Sequence, residues 1–368
     1  IPTRIGKDNL KWEETKQFDA GLDLEFFGNR LSLELDYYYR YTDKLLAQVT
    51  LPGDYNAYTA QWQNAYAISN QGIELQIKAD LIRSEKLHWD FSFNIARNWN
   101  RFEKSNNGMD FTNLASKHNL NIIGKPLNGI YVYNDEGYYN SQDEVPLYYV
   151  NGRRKYLSSL GNQIYSPGDR RIQDVDGNGQ VATMVPLLED RVYGGSPLPL
   201  AFGGIASTLK WKGIDVNLLF SYKLGRHVLN AGRGASVGTI LRANTAEMMV
   251  PILADLDKVS FWQKPGDNTD FPINELEKGK NNFATNLKSN VEKINYLKLK
   301  SISIGYILPV FPKQSKHYAR VFMSVENVFT ITNSSSPDPE SIDIVTGVDS
   351  NNNYPLATRF TLGLTLNL

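Results

Sequence analysis

Apolar and polar residues alternate along this chain with a period of two, over spans longer than the five or six residues usual for soluble strands. In Leu31–Tyr41 the odd positions are Leu31, Leu33, Leu35, Tyr37, Tyr39 and Tyr41, and the even ones are Ser32, Glu34, Asp36, Tyr38 and Arg40. Upstream, Phe18, Ala20, Leu22, Leu24 and Phe26 alternate with Asp19, Gly21, Asp23 and Glu25, and Gly28-Asn29-Arg30 lies between the two runs. Such a pattern predicts a hairpin of two strands, each about ten residues long. The unit recurs as Ile73–Leu81 with Leu87–Ile95, as Gly204–Trp211 with Ile214–Tyr222 across Lys212-Gly213, and as Ile294–Leu308 with Tyr318–Thr330 across a Pro-rich turn. A last segment, Leu356–Leu368, carries Leu356, Phe360, Leu362, Leu364, Leu366 and Leu368 on one face.

These runs amount to about nine strands. They are joined alternately by short turns and by long polar connections, over about 42–69, 100–202, 225–292 and 331–355. Short turns at one end and long loops at the other mark an all-β, transmembrane antiparallel β-barrel better than a soluble sandwich, whose strands are shorter and whose loops are not sorted by length. Two strands read imperfectly. In Ile294–Leu308 the apolar parity changes between Leu297/Leu299 and Ile302/Ile304/Tyr306, which a β-bulge near Ser301 repairs. In Tyr318–Thr330 both parities hold apolar residues, so its facing stays open. Aromatic residues gather at strand ends (Tyr37, Tyr38, Tyr39, Tyr41, Trp99, Phe102, Tyr222 and Tyr306), as expected of a membrane-interface girdle or simply of good strand formers.

Composition narrows the class. Thirty-nine basic and 39 acidic residues cancel, which leaves no electrostatic case for nucleic acid. The absence of cysteine removes thiol chemistry and disulfides together. No apolar run reaches the roughly 18 residues a spanning helix needs. A mean hydropathy of -0.39 still suits a barrel, where lipid-facing residues are diluted by lumen-facing ones. Ile1-Pro2-Thr3-Arg4 does not open a signal peptide, so the chain reads as mature or, on the reading favoured here, as a piece of a longer one.

Enzymatic chemistry finds little support. His88, His118, His227 and His317 are scattered, and no Gly-x-Ser-x-Gly elbow occurs. One segment does carry ligand chemistry. Asp174, Asp176, Asn178 and Gln180, with Gly179 at the sixth position, match the first half of an EF-hand calcium loop. The twelfth position is Val185 instead of the bidentate glutamate, and Glu189 or Asp190 would have to fold back. The alternative is a tight Asx/Gly turn without metal. Trp62, Tyr66, Tyr131, Tyr133, Tyr138, Tyr139, Tyr148, Tyr149 and Trp262 lie in the long connections, suited either to stacking on sugar rings or to packing the loops together.

Several motifs resemble the SusC/RagA branch of TonB-dependent outer-membrane transporters. They are Asn9-Leu10-Lys11-Trp12-Glu13 with Gly21-Leu22-Asp23, Phe26–Leu31, Asn70–Leu75, Asp174–Gly179, Tyr296–Lys300 with Gly305-Tyr306 and Leu308-Pro309, Glu326–Thr332, and Tyr354-Pro355 with Thr361–Leu364. The resemblance implies a plugged barrel of roughly 22 strands in the bacterial outer membrane. This chain would supply its C-terminal strands and long extracellular loops, with the plug domain absent. It further implies TonB-dependent import of an oligosaccharide or peptide, no catalysis, and contact with membrane lipid and lipopolysaccharide. The implied partners are a SusD-like surface lipoprotein and, through the missing N-terminal part, the TonB complex. A passive outer-membrane channel and a soluble β-rich carbohydrate-binding module are the alternatives.

Overall fold

Strands this long place every backbone donor and acceptor in one continuous ladder. A computed structural model describes residues 6–50, 60–105, 111–112, 118–159, 164–181, 190–232, 260–273, 286–310, 317–350 and 354–367. Nine long strands form its main sheet among these residues: β1 (Glu14–Phe26), β2 (Leu31–Thr50), β3 (Ala60–Arg83), β4 (Leu87–Ser105), β5 (Ala201–Trp211), β6 (Ile214–Asn230), β7 (Val291–Leu308), β8 (Tyr318–Thr332) and β9 (Arg359–Asn367). They lie in chain order, each antiparallel to the next. A short strand, Val348–Asp349, adds parallel to the end of β6. No helix among the described residues is long and apolar enough to cross a membrane, which leaves crossing by strands untouched.

Register shows what the alternation builds. Directly opposed residues share a face, so Leu24, Leu33, Ile77, Phe93, Ile205, Phe220, Leu299 and Phe329 form one unbroken row across eight strands. Nearer the short turns, Leu87, Trp211, Ile214, Tyr306, Val321 and Leu364 form another. One residue along from the first row, on the opposite face, run Asp23, Glu34, Gln76, Asn94, Gly204, Ser221, Lys298 and Thr330. One face is hydrocarbon and the other is water-loving. Many of the apolar side chains lie open even on interior strands, Ile73 at 44% and Ile304 at 43% among them. A soluble protein would bury them; a lipid bilayer covers them.

Bulges keep this segregation intact. Opposite β6 and β8 the register slips at Lys300, so Leu297 and Leu299 and then Ile302, Ile304 and Tyr306 all reach the apolar face. That is the repair expected near Ser301. Across from it, Asn327 takes a left-handed φ of 52°, and pairing with Tyr306, Ile304, Ile302, Leu299 and Leu297 puts the odd positions Val321, Met323, Val325, Phe329 and Ile331 on the apolar face. The open facing of this strand is thereby resolved.

The polar face has its own packing. Arg320 on β8 reaches past β7 to Asp215 on β6, with Nε 2.9 Å from Oδ1. Its path crosses Gly305, where an added Cβ would stand 2.2 Å from the guanidinium. Only glycine lets the two charges meet across an intervening strand.

Two aspects of the pattern are redrawn by the structure. The polar stretch 42–69 is largely strand, because β2 runs on to Thr50 and β3 begins at Ala60. Here apolar residues fall on successive positions, Leu45-Leu46 and Ala65-Tyr66-Ala67-Ile68, and the register shifts on either side of Leu45, so alternation gives no clean signal. At about 3.3 Å per residue the 24 residues of β3 extend about 80 Å, far beyond the 9–11 residues a crossing requires. The strands therefore rise well above the apolar belt. The aromatic girdle is also only partial. Tyr37, Tyr39 and Trp99 lie on the apolar face at its upper rim, and Trp89, Trp211 and Tyr306 at its lower rim. Tyr38 instead covers Gly72 on the polar face, Phe102 is buried beneath Tyr66, and Tyr222 stacks on Phe93 and donates to the carbonyl of Asn94 at 2.8 Å.

The two faces should respond differently to charge. Ile77→Arg is expected to cost about 2–4 kcal/mol in a bilayer, while Gln76→Arg one position away costs little. Denaturant unfolding in lipid vesicles measures both, and equal costs would contradict the facing.

Candidate functional site

Above the belt the long connections fold into a cap with its own cores. Asn119–Asn121, Gly129–Tyr133 and Arg191–Gly195 pair side by side, with Phe111–Thr112 at the edge. Gly129–Tyr133 is buried throughout. Tyr133, Tyr139, Val145, Leu157, Tyr165, Ile172, Val181 and Leu287 make the largest core. A second, of Ile130, Val132, Leu229 and Ala231, fastens the cap to the end of β6. Most of the aromatic residues in the connections serve this packing: Tyr131, Tyr133, Tyr139 and Trp262 are buried and closed to any ligand. Trp62 and Tyr149 remain exposed, and Tyr138 lines a cleft.

That cleft encloses about 520 Å³ and is walled by Asp135, Tyr138, Asn140, Arg171, Asp267 and Thr269, among others. Its floor is a buried ion pair, Arg170 to Asp135 at 2.9 Å, with the Arg170 guanidinium also 5.4 Å from the centre of the Tyr138 ring. A polar cleft of this size suits hydroxyl- or amide-bearing ligands.

The calcium-like segment folds as its spacing predicts, and it finds an additional carboxylate. Asp174 accepts from the N–H groups of Gly177 and Gly179, Asp176 from Asn178, and Asn178 from Gln180. Gly179 sits at φ +83°, a turn that favours glycine. Asp190 folds back so that carboxylate oxygens of Asp174, Asp176 and Asp190 all lie within 4.8 Å of one another. It is buried, and one of its oxygens accepts from the N–H of Val175 at 2.9 Å. Val185 and Glu189 lie outside the described residues. Tyr148 faces the cluster with its hydroxyl pushed up to about 12, by burial first and then by Asp174, which accepts its hydrogen bond. It keeps its proton at neutral pH. Three carboxylates and an amide oxygen suit a hard cation, since each oxygen retains lone pairs beyond those engaged.

Strand pairing brings together a second group that sequence spacing does not reveal. Asp80, His88 and Asp90 converge near the short turns, with His88 Nε2 2.9 Å from Asp90. The signal was the hairpin register, because Asp80 and Asp90 are direct cross-strand partners.

The connection after β8 folds back onto the polar face of the wall, where two buried cations hold it. Lys298, 2% exposed, bonds Asp338 at 3.1 Å and Glu340 at 3.0 Å. Lys300 adds a second bond to Glu340. Arg226 donates to the carbonyls of Pro197, Ile342 and Asp343. Ile342 packs onto Val228 and Ile294 between these anchors. Burial alone would raise both carboxyls. The N–H of Glu340 and the ammonium of Lys298 outweigh it at Asp338, and Lys300 and Lys298 do so at Glu340, so both sit below the usual carboxylate range.

Comparison with known proteins places this architecture. The profile of the family described as "TonB dependent receptor-like, beta-barrel" matches residues 2–232. A TonB-dependent receptor of Formosa agariphila is 30% identical over 389 aligned residues, taking in 100% of this chain and 35% of that relative. The TonB-dependent receptor SusC of Bacteroides thetaiotaomicron is 25% identical over 98% of this chain and 32% of its own length. Among solved structures, the RagAB peptide transporter shares the fold at a TM-score of 0.67 and 23% identity, over 98% of this chain and 36% of that one. The chain spans about a third of the length of the curated relatives it matches.

Because Asp338 and Glu340 are depressed in the folded chain, the stability they give is full above about pH 4 and is lost as pH falls through their lower folded values. Amide protection across 333–349, measured relative to the intrinsic exchange rate at each pH, should be high at neutral pH and fall in acid before that of β6 and β7. Lys298→Met should loosen the same segment at neutral pH by about 3–5 kcal/mol, because two carboxylates lose their buried counter-ion. Unchanged exchange in the variant would show that the ion pairs do not hold the loop.

Proposed function

The chain belongs to the TonB-dependent receptor β-barrel family, and from that premise we propose that it forms wall and loop cap of an importer for oligosaccharides or peptides. Its place is the bacterial outer membrane. The observation that carries the reading is the continuous apolar row around the sheet, backed by an equally continuous polar row facing the interior. Energy would come through the TonB complex, and a SusD-like surface lipoprotein would close over the cap. The cleft beside Tyr138 and Arg171 would meet cargo on its way to the polar wall. A loop pinned onto that wall by Lys298 and Arg226 narrows the interior, which favours gated uptake over a passive channel. The open apolar belt speaks against a soluble binding module.

Energy coupling tests this reading. Uptake of a labelled oligosaccharide or peptide cargo in cells carrying the receptor should fall to background when TonB is deleted or the proton gradient is collapsed. Uptake that persists under both conditions would make the protein a passive channel.

We place calcium at Asp174, Asp176, Asn178 and Asp190, with the backbone carbonyl of Gln180 in the position that an EF-hand loop uses for its main-chain ligand. Calcium should raise the unfolding temperature of the cap and magnesium should not. At a hundredfold excess over its dissociation constant, the ion stabilises by about 2.7 kcal/mol. Asp174→Asn with Asp190→Asn should abolish the shift, and an equal shift in that variant would remove the metal from the site.

A further inference from the structure

The cap bears one hairpin whose outer face belongs to none of its cores. Leu147–Val150 pairs with Arg153–Tyr156 around Asn151-Gly152, which take φ values of 51° and 74°. Register puts Leu147, Tyr149, Arg154 and Tyr156 on one face. Tyr148, on the other face, packs into the cap core. The outer face is open, with Tyr149 at 68%, Leu147 at 45% and Tyr156 at 37%, and Arg153–Tyr156 is exposed throughout.

Its charge is of one sign. Arg153, Arg154 and Lys155 are consecutive and exposed, and the register places Arg154 on the outer face and Arg153 and Lys155 on the face of Tyr148. None of the three cations forms an ion pair with a described residue. Arg154 is preset instead: its Nε donates to the Tyr149 hydroxyl at 2.9 Å, and its guanidinium lies 5.7 Å from the centre of the same ring. The fork is held beside an aromatic face with donors left over.

We infer that this hairpin captures anionic oligosaccharides, meaning sugars whose rings carry carboxylate or sulfate groups. Tyr149 and Tyr156, diagonal neighbours across the hairpin at about 7–8 Å, offer ring faces to successive pyranoses. Arg154, on the same face, takes an acidic substituent, which a planar guanidinium binds through paired hydrogen bonds. The inference rests on the import reading in taking the cap to face the cell exterior, and it narrows the cargo to an acidic sugar.

Binding by the intact receptor in detergent tests it, with four probes: an oligogalacturonate, a neutral maltooligosaccharide, a glutamate-rich peptide, and vesicles containing lipopolysaccharide. The oligogalacturonate should bind, and more weakly as salt rises. Arg154→Ala should weaken it by about tenfold, and joint Arg153→Ala and Lys155→Ala changes on the opposite face should weaken it far less. Tyr149→Ala should weaken it severalfold, while Tyr149→Phe, which keeps the ring, should retain most affinity. These positions are exposed, so an unchanged unfolding temperature marks the variants as folded. Equal affinity in the Arg154 variant, equal binding of the neutral sugar, or variant-sensitive binding of only the peptide or the lipopolysaccharide would overturn the proposal. TonB-dependent uptake of a neutral cargo would overturn it while leaving the import reading standing.

Discussion

Every backbone N–H and C=O inside hydrocarbon must find a partner within the protein, and a sheet supplies one only if its strands stay in register with one face toward lipid. The rest of the structure follows from keeping that face apolar over nine strands. Where the side-chain parity slips, at Lys300, a bulge restores it, so one extra residue keeps a whole row of leucines and isoleucines in the membrane. Gly305 meets the same demand from the other side. The polar face must neutralise its own charges, and Arg320 reaches Asp215 because nothing projects from the strand between them.

Burial is consequently distributed unlike that of a soluble protein. The wall strands contribute few fully buried side chains along the belt, and the closed cores lie in the cap and at its junction with the wall. The wall leaves its apolar rows to lipid, while the cap, rising into water, buries its own tyrosines and aliphatics as any soluble domain must. Ion pairs join the two regions. A lysine as buried as Lys298 is tolerated because two carboxylates meet it, and those carboxylates sit on the connection after β8, which is thereby bound to the wall. Among the described residues of the cap, the hairpin strand Arg153–Tyr156 and the polar cleft lie open to solvent.

Period-two alternation is a local property, and it made the strands, their short turns, the bulge near Ser301 and the two-faced wall legible in the sequence, since each depends on residues within a few positions of one another. The Asp174–Gln180 turn was legible for the same reason: its hydrogen bonds close between residues two to five apart. Beyond the membrane belt the pattern lost its force. The extensions of β2 and β3 carry apolar residues on successive positions and shift register at Leu45, so a period of two does not mark them as strand.

Which distant residues meet was decided by the tertiary structure alone. Asp190 joins Asp174, Asp80 joins His88 and Asp90, and Lys298 finds Asp338 and Glu340, each through the path of strands and returning loops that spacing along the chain does not encode. The fate of the aromatic residues was decided the same way: Tyr133 and Tyr139 are sealed in a core while Tyr149 stands in water, although neighbouring sequence gives all three similar surroundings. Alternation reports which side of a strand a residue occupies. Only the folding of one segment over another determines whether that side is covered by lipid, by protein or by solvent.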